Sequence, residues 1–329
     1  ADFGRVAKAL LEIGGAKAVG FDFVFSAQAA SKMVPRVEIE KRNLEFGRVT
    51  LAYPNIVLAA QYSDAVTPLT EHGWRQFPFL RAGFRDRAKN DVPELPERPI
   101  SGVRLNPATR KMQAWGTVGL IDFDVEYSGD EIPRWVPLFA HTPNSTLYHL
   151  ALQLALIDRG LDDTEVRLSA TTLEAVTADG TPVISIPLTE EQLVEVNWFS
   201  TWENNDLNPR TGVGEVLSAL QDVGSDKEVE REAARKLYAI FKDAIVLIGP
   251  TAASLQDLAP TPLDSAPVPK VGVHGNLLKT ILSGHYIQRL PESATIVITL
   301  VLTMLISSFA AAAGTQGARS KLTAALLLT

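Results

Sequence analysis

The chain has 329 residues, enough for one large domain or two ordinary ones with a buried core. Its net charge of −7, with 46% hydrophobic and 21% charged residues, is typical of a globular protein and argues against a nucleic-acid-binding surface. The chain has no cysteine, which excludes disulfides, thiolate catalysis and cysteine-ligated zinc or iron–sulfur sites.

Two buried strands are predicted in the first sixty residues. The segment ADFGRVAKALLEIGG has apolar residues at helical spacing, and the β-branched and aromatic strand KAVGFDFVFS follows it. PNIVLAA predicts a second strand, and its continuous apolar run indicates a sheet covered on both faces. The charged segment between them predicts a short exposed helix. Residues 68–107, rich in Pro, Arg and aromatics, are interpreted as an irregular insertion.

Strands and helices then alternate as far as Gly284. STLYHLALQLALIDRG predicts an amphipathic helix with Ser145 or Thr146 as its N-cap and Gly160 just past its end. The further predicted elements, in chain order, are a hairpin that turns at ADG, the strand EVNWF, the helices GVGEVLSALQDVG and SDKEVEREAARKLYAIFKD, the strand AIVLIGP and the helix VHGNLLKTILSG. The pattern favours an α/β fold in one domain, with a mixed sheet, a partly antiparallel middle and flanking helices.

A long apolar run, ATIVITLVLTMLISSFAAAA, occupies residues 294–313. A helix of this length spans about 30 Å, which is the hydrocarbon thickness of a bilayer. A buried core helix is the alternative, although such a helix normally keeps a polar edge. We therefore predict a C-terminal transmembrane helix, and residues 322–329 predict the start of a second one. The chain begins inside a helix and stops inside this second run, so we interpret it as a fragment.

The short segment GTQGARSK between the two apolar runs indicates the orientation. By the positive-inside rule, Arg319 and Lys321 place this segment in the cytoplasm and the large domain outside it, whereas Arg289 on the other side weakens the signal.

The order of the segments resembles one known family. GAKAVGFDFVFS, PNIVLAA, IPRWVPLFA with LALQLAL, AIVLIGPTAASLQDLAPTP, and VGVHGNLLKTILSG directly before the apolar run are similar to the second CHASE family, the cyclase/histidine-kinase-associated sensory extracellular domains. The resemblance implies that residues 1–291 are an extracytoplasmic sensory domain at the inner membrane of a bacterium. Residues 68–107 depart from the simpler middle of this family.

The resemblance also implies an output domain and partners. The output is most often an adenylate/guanylate cyclase, to which the wording FKDAIVLIGPTAASLQDLAPTP is most similar, and otherwise a histidine or serine/threonine kinase. We expect a small-molecule or periplasmic ligand, membrane lipid as a neighbour, no cofactor and no nucleic acid, and a homodimer stays open.

Candidate ligand contacts follow the strand AIVLIGP. Ligands of α/β sheets bind at the C-terminal ends of strands, which favours Gly249, Thr251, Asp257 and Thr261. The alternative is that Gly249 shapes a turn while the Asp and Thr side chains bond to loop backbone.

Three further candidates lie in other segments. His274 and Asn276 begin the last helix before the apolar run and could face the same cleft; a buried histidine and a helix cap are the alternative. Asp22, in the middle of an apolar strand, must be paired or lie at the strand end, and Asp257 or His274 is its expected partner. A structural hydrogen-bonding role is the alternative for Asp22.

Catalysis and metal binding have little support. The chain lacks G-x-S-x-G, H-E-x-x-H and kinase signatures, and its five histidines do not have ligand spacing, so we predict no catalytic residue and no metal site. Asp122, Asp124 and Glu126 share one strand face, for which a solvated surface is favoured over a cation site. Two other functions stay open: a membrane-anchored hydrolase that uses Asp22, Asp257 and His274, and a dimerisation module without a ligand.

Overall fold

The protein is described by a computed structural model. It describes residues 2–23, 35–60, 78–80, 97–99, 117–121, 132–141, 146–162, 165–189, 192–255, 257–287, 289–290 and 292–314. The chain divides into two compact units, Ala1–Tyr286 and Ile287–Thr329. The acidic strand face at 122–126, most of the insertion at 68–107 and the second apolar run lie outside the described residues.

The first unit is a mixed α/β domain. Its helices are α1 (Asp2–Glu12), α2 (Arg36–Ala52), α3 (Leu150–Asp158), α4 (Val213–Asp222), α5 (Glu228–Ala239) and α6 (Val271–Ser283). Its strands are β1 (Ala18–Phe21), β2 (Ile56–Ala60), β3 (Pro78–Leu80), β4 (Glu97–Pro99), β5 (Thr117–Leu120), β6 (Trp135–Pro137), β7 (Phe139–His141), β8 (Thr146–Tyr148), β9 (Val166–Leu168), β10 (Thr172–Val176), β11 (Pro182–Pro187), β12 (Leu193–Glu195), β13 (Ile245–Ile248), β14 (Leu258–Ala259) and β15 (Val268–Pro269).

A parallel sheet forms the centre of this unit. Its strand order is β13-β1-β2-β5, and each neighbouring pair runs parallel. The strands predicted at KAVGFDFVFS, PNIVLAA and AIVLIGP are confirmed as β1, β2 and β13, and β1 lies between the other two. From β1 the chain continues to β2 and β5 on one side, whereas β13 returns on the other side. The strand order thus changes direction between β1 and β13, the kind of position at which open α/β sheets bind ligands.

Helices cover both faces of the sheet, as the continuous apolar strands indicate. On one face, Val19, Phe21 and Ile56 pack in a core with α1, α2, α4 and α5. On the other face, Ala18 and Val57 pack in a core with α3, α6 and the antiparallel strands. Alternate residues of each strand thus enter opposite cores, which explains why these strands carry no polar face.

Helix α3 differs from the prediction in its start and in its character. Thr146 lies in β8, which pairs with β7, so the helix begins only at Leu150 and its N-cap is His149. The predicted amphipathic pattern is wrong, because residues 150–156 are all buried between the sheet and the antiparallel strands. The close approach of α3 to the sheet requires a glycine in β5, since a Cβ at Gly119 would lie 2.5 Å from Leu150 Cα.

Other predicted elements are confirmed or corrected. The hairpin of β10 and β11 turns at Gly180, whose φ is 85°, and Gly284 ends α6 with a φ of 69°. The short exposed helix predicted before β2 is longer and less exposed than expected. Helix α2 has 17 residues, and its Phe46 is buried. The strand predicted at EVNWF ends at Glu195, and the backbone after Val196 bonds to α6 side chains instead of a strand.

The second unit contains α7 (Glu292–Gly314), which includes the predicted span. Residues 293–311 have a mean hydropathy of 2.2, and the helix is long and apolar enough to cross a membrane. The hydroxyl of Thr299 donates to the carbonyl of Thr295 at 2.8 Å, and Thr303 donates to Thr299 at 2.7 Å. These bonds satisfy the hydroxyls within the helix itself, as a lipid environment requires.

Candidate functional site

Asp22 and His274 form a buried pair at the C-terminal ends of the strands of the parallel sheet. Asp22 follows the last residue of β1, and His274 lies in the first turn of α6. The imidazole Nε2 is 3.0 Å from Asp22 Oδ1, with only 1% and 3% of the two side chains exposed. Of the two partners expected for Asp22, His274 is the correct one. The pair fastens α6 to the C-terminal end of β1.

Gly249 makes this approach possible. The Asp22 backbone N–H donates to the carbonyl of Ile248 at 2.8 Å, so the ends of β1 and β13 lie side by side. A Cβ at Gly249 would lie 2.7 Å from Val271 Cβ and 3.2 Å from Asp22 Oδ2. A side chain at this position would therefore push the start of α6 away from the strand ends. The predicted site residues Asp22, Gly249 and His274 are thus neighbours in space.

A second histidine completes the cluster. The rings of His149 and His274 have centroids 5.2 Å apart with an interplanar angle of 38°, and His149 is fully buried. Its Nδ1 accepts a hydrogen bond from the N–H of Ala151 at 3.1 Å and so caps α3. Burial, and next the charge on His274, hold the pKa of His149 well below its usual value.

His149 was missed in the sequence analysis. Histidine is an uncommon N-cap, and Ser145 and Thr146 nearby carry stronger cap signals. The usable signal was its position directly before LALQLAL, because a polar residue next to a fully apolar helix must find a buried partner.

Asn276 has a structural connection on another side of α6. Its Oδ1 accepts from the N–H of Phe199 at 3.2 Å, and its Nδ2 donates to the carbonyl of Gly272 at 3.0 Å. The alternative role of Asn276 as a helix cap is wrong, because α6 begins at Val271 with Lys270 as its N-cap.

The remaining candidates make local contacts. Asp257 forms an ion pair with Lys270 at 3.3 Å. The hydroxyl of Thr261 bonds to Asp264 at 2.6 Å and accepts from its backbone N–H at 3.0 Å. Thr251 is exposed. Asp257 therefore pairs with Lys270 and does not join the pair of Asp22 and His274, as the hydrolase hypothesis requires.

A segment that we name the α6 strap, residues 197–211, lies along the outer side of α6. The N–H of Asn197 donates to Thr280 Oγ1 at 3.0 Å, close to the bond between Phe199 and Asn276. The ammonium of Lys279 donates to the carbonyl of Leu207 at 2.6 Å, and burial lowers its pKa. Helix α6 is therefore held from two directions, by the strap and by the histidine cluster.

The first turn of α6 also meets the strap through an aromatic ring. A Cβ at Gly272 would lie 2.8 Å from the ring of Trp202. The guanidinium of Arg210 stacks on the same ring, 4.8 Å from its centroid. Since Gly272 lies two residues before His274, this contact reports on the same part of the helix as the buried pair.

The arrangement is suited to holding a helix and to taking up protons. With 1% and 3% exposure, His274 and Asp22 do not reach a surface where a substrate would bind. Within the described ranges, no group of three His, Asp or Glu residues could hold a metal ion. The chemistry that these residues offer is the gain or loss of a proton between two imidazoles and a carboxylate.

The comparisons with known proteins give one match. The family model of the CHASE2 domain matches residues 3–311, which include nearly all of the first unit and most of α7. No curated protein and no solved structure matches the chain significantly. CHASE2 domains are extracellular sensory domains of signalling receptors. The match covers far more than half of the sequence, and the chain therefore belongs to the CHASE2 family.

Proposed function

We propose that this chain is the extracytoplasmic, ligand-sensing input region of a bacterial transmembrane receptor that controls a cytoplasmic adenylate/guanylate cyclase. One observation carries the proposal. The last helix of the sensor, α6, is fastened at the sheet edge where ligands usually bind, and only residues 284–291 separate it in the chain from α7. A ligand that favours one position of α6 over another would therefore act on the helix that precedes the apolar helix in the chain.

The proposed ligand contacts are the residues selected from the sequence: Asp22, Gly249, Thr251, Asp257, Thr261, His274 and Asn276. Asp22, Gly249 and His274 meet between the ends of β1 and β13, and because Asp22 and His274 are buried, a ligand would contact them only where α6 moves away from the strand ends. The ligand is a small molecule or a periplasmic component. The other four residues follow this site in the chain: Asp257 and Thr261 contact Lys270 and Asp264, Asn276 contacts Phe199, and Thr251 is exposed.

The proposed topology places residues 1–291 outside the cytoplasm, with spans at 294–313 and from 322, in the inner membrane. The apolar helix α7 supports the first span, and membership of an extracellular sensory family supports the orientation. Lipid contact along α7 follows from the first span, and a homodimer is compatible with this topology.

Cysteine labelling tests the topology, because the natural chain has no cysteine. Ala233→Cys lies at an exposed position on α5. In intact spheroplasts, a membrane-impermeant maleimide is expected to label this cysteine without lysis. Labelling that requires lysis would place the domain in the cytoplasm and overturn the proposal.

The output is tested on the full-length receptor in membranes supplied with ATP or GTP. Formation of cyclic AMP or cyclic GMP supports the cyclase. Phosphoryl transfer to protein without a cyclic nucleotide would instead identify the alternative, a kinase input domain. The hydrolase alternative has less support, because Asp257 pairs with Lys270 and the pair of Asp22 and His274 is buried.

A further inference from the structure

We propose that the proton is a ligand of this domain: the buried cluster of Asp22, His274 and His149 holds α6 on the sheet when it carries no net charge, and releases α6 when it binds one more proton. This inference rests on the proposed sensory function and names its stimulus as acidification outside the cytoplasm.

The first argument is the position of the cluster. Its members come from three elements: Asp22 from the end of β1, His149 from the start of α3 and His274 from the first turn of α6. Their exposed fractions are 3%, 0% and 1%. A change of charge here cannot be screened by water, so it acts directly on the contact between α6 and the rest of the domain.

The second argument is the charge balance. In the proposed holding state, a carboxylate on Asp22 and an imidazolium on His274 cancel each other's charge, and a neutral His149 leaves the cluster uncharged. A proton added to His149 would give a buried net charge of +1, with two imidazolium rings whose centroids are 5.2 Å apart. Both the burial and the repulsion of like charges oppose this state while α6 stays in place.

The third argument is the bond that His149 makes. Its Nδ1 accepts from the N–H of Ala151, so this nitrogen must be unprotonated. The neutral ring then carries its proton on Nε2, and a second proton must replace the cap bond to α3. Movement of α6 would lower the free-energy cost of a positive charge on His149, because it withdraws His274 from the neighbouring ring and lets water reach His149.

Charged groups from the other elements around α6 keep their charge over this range or lie near the surface. Lys270 pairs with Asp257 at 3.3 Å, with 42% and 30% exposure. Arg159, beside α3, donates to the carbonyl of Leu282 at 3.2 Å, and Lys279 binds the strap. Among these described groups, the imidazoles are the ones that ordinarily change charge between pH 7.5 and pH 5.

Two neighbouring groups in the segment after α6 complete the comparison. The hydroxyl of Tyr286 lies 3.4 Å from the carbonyl of Ile281, and burial raises the pKa of this phenol to about 12. It stays neutral throughout the acid range. His285 is exposed, and its replacement therefore provides a matched control for histidine titration outside the cluster.

The test uses the full chain in nanodiscs of phosphatidylethanolamine and phosphatidylglycerol. Nitroxide labels are attached at Ala233→Cys on α5 and Ser283→Cys at the end of α6, both exposed positions in the first unit. Pulsed electron–electron resonance then gives the distance distribution between the labels at successive pH values. We expect a reversible change with a midpoint below about pH 6.5, the ordinary value for histidine, while the far-UV circular dichroism stays constant.

His149→Asn and His149→Ser both supply a side chain that caps a helix and does not titrate in this range. We expect each to move the midpoint by at least about one pH unit or to abolish the change, because the group that takes up the proton is gone. His285→Asn is expected to leave the midpoint where it is.

The wild-type titration decides the matter even if the variants fold poorly. An unchanged distance distribution between pH 7.5 and pH 5 would overturn the inference, and so would loss of circular dichroism over the same range. If both His149 variants fold and keep the midpoint of the natural chain, the inference is also overturned. The proposed sensory function has a separate test, the maleimide labelling of Ala233→Cys in intact spheroplasts. If that labelling succeeds and the pH titration fails, only the proton inference is overturned.

Discussion

His274 Nε2 lies 3.0 Å from Asp22 Oδ1, and this contact joins the final helix of the sensor to the carboxyl end of a central strand. Both partners are buried, so neither side chain has water to replace the other. The pair therefore contributes directly to the attachment of α6 to the sheet.

Removal of the carboxylate should strongly destabilise the first unit. Asp22→Ala leaves His274 buried without its partner, for which the expected loss is about 3–5 kcal/mol of unfolding free energy. Chemical denaturation of the full chain in detergent micelles, followed by near-UV circular dichroism, measures this loss. The matched control is Asp257→Ala, which breaks a surface pair worth about 0–1 kcal/mol. Equal losses in the two variants would contradict a special role for the buried pair.

A methyl group at Gly249 should separate α6 from the strand ends. Because the new Cβ would lie 2.7 Å from Val271 Cβ, Gly249→Ala is expected to cost about 1–3 kcal/mol of stability. The double variant with Val271→Gly, which removes both the Cβ and the Cγ2 that the new methyl would meet, should recover part of this loss in a double-mutant cycle. Gly214→Ala on α4 meets nothing within 4 Å and should be neutral or stabilising. Additive effects at Gly249 and Val271 would show that the two sites do not touch.

The free energy of unfolding of the domain with α6 held on the sheet should fall in mild acid. The pKa of His149 is lower in the folded domain than in the unfolded chain, so the unfolded chain binds more protons once the pH falls below about 6.5. The contribution is present above that pH and is lost as the pH falls toward the folded pKa, with a slope of at most about 1.4 kcal/mol per pH unit. Unfolding free energies measured between pH 8 and pH 5 test this expectation.

The control for this pH dependence is His149→Asn, which keeps a helix cap and removes the titrating ring. Its unfolding free energy should have a shallower slope than that of the natural chain over the same range. Identical slopes would assign the acid sensitivity to other groups.

The α6 strap should loosen when its buried amide is lost. Asn276→Ala leaves the N–H of Phe199 without its acceptor, at a cost of about 1–3 kcal/mol. Hydrogen exchange followed by mass spectrometry should then show faster exchange in residues 197–211. Asp206→Ala, an exposed change in the same strap, is expected to alter stability by less than about 0.5 kcal/mol. Unchanged exchange in Asn276→Ala would mean that other contacts hold the strap.

Much of the fold was predictable because the signals are local. The continuous apolar run of PNIVLAA indicated a sheet covered on both faces, and the sequence has Gly180 and Gly284 where the backbone needs a positive φ. The start of α3 was not predictable in this way. Thr146 is drawn into β8 by pairing with His141, a contact between segments that periodicity does not reveal.

The candidate site was predictable only in its charged core. Asp22 was conspicuous as a carboxylate in an apolar strand, and burial required the partner that it found in His274. His149 was missed, because it reaches the cluster only through the packing of α3 against α6. The contact of Asn276 with Phe199 was not foreseen, because the strap has no periodicity that would place it beside α6.

The central claim, that the attachment of α6 to the sheet controls the output, is tested most directly by the activity of the full-length receptor in membranes. We predict that Asp22→Ala, once shown to be folded and inserted, changes the rate of cyclic-nucleotide formation at least about fivefold, the lower end of typical allosteric coupling. Glu38→Gln, on the exposed surface of α2, should keep the natural rate. A folded Asp22→Ala receptor with the same rate as the natural one would contradict the account.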